Sequence, residues 1–191
     1  AQTLMTICQG ELRQMLSLFH WQGGREGYYE RIYSKTASLF AAAAEAGAIL
    51  GHAPEESVRA LRAYGEHLGM AFQIVDDVLD FAGTEAHVGK PVGNDLRQGI
   101  VTLPVYHYLQ NGGQPALVEA ALARDEETGS AREESIKTLV AAVLCSPAIE
   151  ACRREADGFA RQAIADVATL DDSPYRNALC ELADFVVARD V

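Results

Sequence analysis

Apolar residues recur along this chain at three- and four-residue intervals and almost nowhere at two, which is the period of helices rather than strands. No stretch alternates cleanly, and Asn111-Gly112-Gly113 lies between helical patterns rather than between β-rich runs. Helix starts can be named. Pro54, with Glu55 and Glu56, places a proline and two acids in a first turn. Ser130 with Glu133 reads as a capping box ahead of Ile136, Leu139, Val140 and Val143. Ser146-Pro147 and Ser173-Pro174 each read as an N-cap followed by the first helical residue. The pattern predicts an all-α fold of about eight helices, at roughly 2–20, 28–51, 55–82, 98–111, 115–125, 131–145, 147–169 and 174–189. Two links separate them where glycines gather: Gln22 to Gly27, and the longer Ala82 to Gly99 with Gly83, Gly89, Gly93 and Gly99. A link as long as the second, inside a compact helical domain, reads as functional or disordered.

Composition narrows the function. The 191 residues suit one domain with a sizeable core, 49% of them hydrophobic and 23% charged. No apolar run reaches the roughly 18 residues of a membrane span. The Ala-rich stretch from Thr36 to Leu50 comes nearest and is broken by Glu45. The first residues lack a basic stretch followed by an apolar one, so no secretory signal is expected. A formal net charge of −11 disfavours a nucleic-acid partner, which needs a basic face. It leaves room for an anionic small molecule, above all one bridged by a divalent cation. Cys8, Cys145, Cys152 and Cys180 form no C-x-x-C pair and read as free thiols in a reducing cytoplasm.

One helix carries charge where it should not. In YGEHLGMAFQIVDDVLDF (64–81), Leu68, Ala71, Phe72, Ile74, Val75, Val78, Leu79 and Phe81 leave little of the circumference polar, the signature of a buried helix. Yet it holds Asp76, Asp77 and Asp80. Asp80 is four residues from Asp76 and three from Asp77, so three carboxylates crowd two turns. Like charges ~4 Å apart repel by about 4 kcal/mol near a protein surface. The acids sit at the end of the helix, where its dipole disfavours them. A solvated face would put polar residues between them, but Val78 and Leu79 intervene. A hard divalent cation such as Mg²⁺, held by clustered carboxylate oxygens and by substrate phosphates, accounts for the arrangement, and metal binding is weighed there against a structural role.

Two of the three lysines stand beside special sequence. Lys90 lies in GKPVGND (89–95), where glycines allow close backbone approach to a ligand. Lys35 precedes Thr36 at the start of an otherwise apolar stretch. Each can supply a point charge to a phosphate, or snorkel at the surface.

FQIVDDVLDF (72–81) and GKPVGNDLRQGIVTLP (89–104), preceded by GELRQ (10–14) and KTASL (35–39), closely resemble the polyprenyl synthetase family of trans-isoprenyl diphosphate synthases in order and spacing. The resemblance runs from about Ile7 to Leu109. It implies an antiparallel helical bundle of the isoprenoid synthase type around a prenyl-binding cavity, usually in a homodimer. The implied chemistry is head-to-tail elongation with Mg²⁺: an allylic diphosphate ionises, isopentenyl diphosphate attacks the cation, and a proton is lost. On this resemblance Asp76, Asp77 and Asp80 match the second aspartate-rich motif, with Asp76 the main metal ligand. Lys35, Thr36, Gln73 and Lys90 match positions that contact the allylic diphosphate, and Asp76, Lys35 and Lys90 take the catalytic roles. The protein is then expected to be cytoplasmic and not transmembrane.

Two departures qualify that expectation. Ile100 stands where many members have lysine, which leans toward a longer product. The family's first aspartate-rich motif and its isopentenyl diphosphate site lie upstream of the GELRQ block, which here begins at residue 10. Residues 1–191 therefore read as the C-terminal part of the domain, a partial bundle inactive alone and inclined to self-associate or to bind its missing half. The alternative is a non-catalytic diphosphate-binding subunit of the same fold. A class I terpene cyclase fits less well, since its second metal motif mixes Asn, Ser and Glu.

Overall fold

The computed structural model describes residues 2–82, 92–124 and 129–189, and among these it is all-α. In chain order the helices are α1 (Gln2–Ser17), α2 (Gly24–Ile32), α3 (Ser38–Leu50), α4 (Glu55–Ala82), α5 (Asn94–Arg97), α6 (Leu103–Gln110), α7 (Pro115–Ala121), α8 (Gly129–Leu144), α9 (Ala148–Asp166) and α10 (Pro174–Val187). A π turn, Tyr33–Ala37, joins α2 to α3, and a 3₁₀ turn, Val167–Thr169, follows α9. No single helix among the described residues is long and apolar enough to cross a membrane. No disulfide joins the four cysteines.

Local signals explain most boundaries. α4 opens on Glu55 and Glu56, which favour the positive end of its dipole. α10 is capped by Ser173, whose hydroxyl accepts the Arg176 N–H at 3.2 Å, with Pro174 in its first turn. Ser146 accepts the Ala148 N–H at 3.2 Å ahead of α9. The box expected from Ser130 and Glu133 is corrected: both oxygens of Glu133 are taken by Arg97. The helix expected at 98–111 begins only at Leu103, because Gly99 adopts φ +78° and Thr102 is extended. Within the 82–99 link, 94–97 forms the short α5, and residues 83–91 lie outside the described residues.

The chain groups into two compact units. The first comprises Ala1–Leu12, Glu30–Val75 and Arg154–Asp190. Its core joins Tyr64, Leu68 and Ala71 of α4 to Ala160 and Ala163 of α9 and to Ala183 and Val186 of α10. The Tyr64 hydroxyl donates to the Leu179 carbonyl at 2.8 Å, and burial pushes its pKa up to about 12. The second unit comprises Arg13–Tyr29 and Asp76–Arg153. Its α7 and α8 pack together, and every residue from Val101 to Tyr108 is buried. The helix α4 gives its length through Val75 to the first unit and its last turns to the second.

Candidate functional site

In the first unit, Lys35 and Thr36 sit within the π turn rather than in a continuous α-helix. Such single-turn bulges recur at functional sites, because the widened turn re-aims side chains. Thr36 Oγ1 donates to Gln73 Oε1 at 2.7 Å, so two residues expected to contact diphosphate already touch. Lys35 Nζ lies 3.1 Å from Glu11 Oε1, with the two side chains 42% and 45% exposed. The GELRQ and KTASL blocks are thereby brought together. Gly10 makes the approach possible: a Cβ there would lie 2.7 Å from Ser34 Cβ.

A second close approach fixes Gln73. Gly65 and Gly69 lie four apart on one face of α4. A Cβ at Gly65 would lie 2.5 Å from the Phe40 carbonyl oxygen, and one at Gly69 would lie 2.6 Å from Ala37 Cα. The α4 backbone can therefore press against α3 and the π turn, which delivers Gln73, one turn further on, to Thr36. The small-x-x-x-small spacing is legible in GEHLG (65–69), and the sequence reading passed over it. It also passed over Arg189, whose guanidinium lies 4.5 Å over the Phe72 ring and donates to the Phe72 carbonyl at 3.4 Å. A fixed cation thus adjoins the Phe72–Gln73 peptide.

In the second unit, the three aspartates meet three environments. Asp76 is exposed. Asp77 is 3% exposed and accepts a 2.7 Å hydrogen bond from the hydroxyl of Tyr28, itself buried against Tyr29 and Tyr106. Asp80 is half-buried and receives the Asn94 N–H at Oδ1 (3.1 Å) and the Asp95 N–H at Oδ2 (3.2 Å). Burial, and then the charge of Asp95, push the Asp80 pKa up to about 6. The two backbone donors and Arg97 oppose that rise. Among the described residues no group of three or more His, Cys, Asp or Glu is arranged to hold a metal by itself. A three-carboxylate cage is therefore not what the spacing yields. Lys90 lies outside the described residues.

The donor set still suits Mg²⁺. That ion takes one or two carboxylates and completes its octahedron with water and substrate phosphate oxygens. Exposed Asp76 offers a hard anionic oxygen. Asp80 carries a desolvated charge that Arg97 offsets only in part, which a nearby cation relieves.

Comparison with known proteins shows what the chain as a whole resembles. The family described as Polyprenyl synthetase matches residues 1–142. Heptaprenyl diphosphate synthase component 2 of Bacillus subtilis is 35% identical across 99% of this chain and 53% of its own length. The crystal structure of heptaprenyl diphosphate synthase from Staphylococcus aureus superposes with a TM-score of 0.90 at 29% identity, covering 100% of this chain and 58% of that one. The polyprenyl synthase from Caulobacter crescentus, complexed with calcium and isoprenyl diphosphate, gives 0.85 at 35% identity over 99% of this chain and 57% of that one. The chain thus spans between half and two thirds of the length of these relatives.

Proposed function

The chain belongs to the polyprenyl synthetase family, and from that premise we propose that it serves an all-trans polyprenyl diphosphate synthase, condensing isopentenyl diphosphate with an allylic diphosphate. One observation carries the reading. Of three acids ending a largely buried helix, two are held by internal donors and the third, Asp76, faces solvent.

Asp76 is the principal ligand of Mg²⁺, with Asp80 beside it, while Asp77 anchors the end of α4 through Tyr28. A bound Mg²⁺ supplies positive charge that neutralises a diphosphate and makes it a better leaving group. Lys35, exchanging Glu11 for a diphosphate oxygen, adds a fixed charge of the same sign. Thr36 and Gln73 orient the diphosphate by hydrogen bonds, and Lys90 is assigned the same role from sequence. The apolar positions of α4 shield the allylic cation from water. Through these residues the chain alone binds diphosphate in the presence of Mg²⁺. A homodimer is the simplest assembly. The word "component" in the name of the Bacillus relative favours a second reading, in which a different subunit completes the enzyme.

Calorimetric titration with inorganic pyrophosphate tests the reading. Binding is expected with Mg²⁺ and not in chelator, and Asp76→Asn should weaken it at least about tenfold. Equal binding in chelator, or an unchanged Asp76→Asn, overturns the assignment.

A further inference from the structure

Arg132 of α8 directs its guanidinium at backbone oxygens. Its Nη2 donates to the carbonyls of Leu96 (2.8 Å) and Arg97 (2.9 Å), and its Nε to that of Ala121 (3.1 Å). Leu96 and Arg97 end α5, and Ala121 ends α7. One planar fork thus satisfies carbonyls at the C-terminal ends of two helices.

At four residues, α5 is too short to persist by itself. Its opposite end is held by Asp80. The Gly93 N–H donates to the Asp80 carbonyl at 2.7 Å, and the Asn94 and Asp95 N–H groups donate to the Asp80 carboxylate. A lateral strap completes the hold: Arg97 donates through Nε (3.0 Å) and Nη2 (2.5 Å) to Glu133, the neighbour of Arg132 on α8, and through Nη1 to the Val92 carbonyl. The two N–H groups that aim Asp80 are therefore pinned from behind by Arg132.

We propose that Arg132 is a positioning residue of the metal–diphosphate site, fixing through α5 the backbone donors that orient the Asp80 carboxylate. This rests on the reading that Asp80 serves Mg²⁺. Lysine at 132 keeps the charge but cannot fork across three carbonyls. Misplacing a group that orients a metal ligand typically weakens metal binding about 10–100-fold.

The test titrates Mg²⁺ into the chain with inorganic pyrophosphate, alongside amide hydrogen exchange. Arg132→Lys is expected to raise the half-saturating Mg²⁺ about tenfold. It should also lose protection at Asn94 and Asp95 while keeping its helical circular dichroism. A variant that melts earlier yet needs no more Mg²⁺ makes Arg132 a structural strut and overturns the proposal. Should Arg132→Lys fail to fold, Arg132→Gln, which keeps a donor for one carbonyl, takes its place: a shift in the same direction supports the proposal and no shift overturns it. The underlying reading is separated by Asp76→Asn. If wild type binds and Asp76→Asn does not, an unmoved Arg132→Lys refutes only the positioning role. If wild type shows no Mg²⁺-dependent binding, both fall together.

Discussion

Adjacent residues on a helix differ by about 100° in direction, and that rotation separates Asp76 from Asp77. Asp76 faces solvent, whereas Asp77 turns inward and meets the hydroxyl of Tyr28, 49 residues earlier. A buried carboxylate demands donors, because desolvation without them costs several kcal/mol. Tyr28→Phe keeps the ring that packs on Tyr29 and Tyr106 and removes the hydroxyl. It should lower the unfolding free energy by about 1.5–3 kcal/mol, the worth of a hydrogen bond to a charged group. Urea denaturation measures this, and a midpoint equal to wild type shows that other donors suffice for Asp77. Pyrophosphate affinity in Mg²⁺ should move far less than in Asp76→Asn, since Tyr28 acts on the anchor and not on the presented ligand.

Elements were legible in the sequence where their signals are local. Pro54, Glu55 and Glu56 mark the start of α4, and Ser173-Pro174 marks that of α10; both stand as expected. What stayed hidden depends on distant partners. The Ser130–Glu133 box is lost because Arg97, 36 residues away, offers Glu133 a two-point contact. The start of α6 shifts because Gly99 is seated on the Phe19 ring, where a Cβ would lie 2.7 Å from ring atoms. Nothing within YSKTA announces a π turn, since none of its residues breaks a helix. Its cause is closer to tertiary packing, with α1 and α4 both pressed near it through glycines. The aspartate triad was visible as a cluster, but its division into one presented and two anchored acids was not. Gly10→Ala tests the packing account. The new methyl would overlap Ser34 Cβ, so the turn must shift, at about 1–3 kcal/mol. The expected outcome is a lower melting temperature together with weaker Mg²⁺–pyrophosphate binding, because Lys35 and Thr36 ride on that turn. Lost stability with unchanged affinity in the folded fraction would detach the π turn from the site.

Across the whole molecule, net charge and apolar exposure pull in opposite directions. A charge of −11 repels a second copy of the chain, while α1 exposes Leu4, Met5, Leu12, Met15 and Leu16, the last at 83%. Met5, Leu12 and Met15 fall at the alternating three- and four-residue steps of a helix–helix seam, with Cys8 between them. Surface leucines scattered singly need no explanation, but a stripe along one helix does. On the homodimer reading this stripe meets its equivalent on a second copy. Salt then discriminates. Raising ionic strength from 0.1 M to 1 M shortens the screening length from about 10 Å to about 3 Å and removes most of the repulsion. Apolar contact survives that change, whereas an interface built on ion pairs weakens. Sedimentation velocity should therefore show association that strengthens with salt. Leu12→Glu with Met15→Glu should reduce it at least tenfold without altering helical content, each change placing a charge in a seam that must lose water. Association that weakens with salt, or that ignores the double substitution, would assign the contact to another face of the chain.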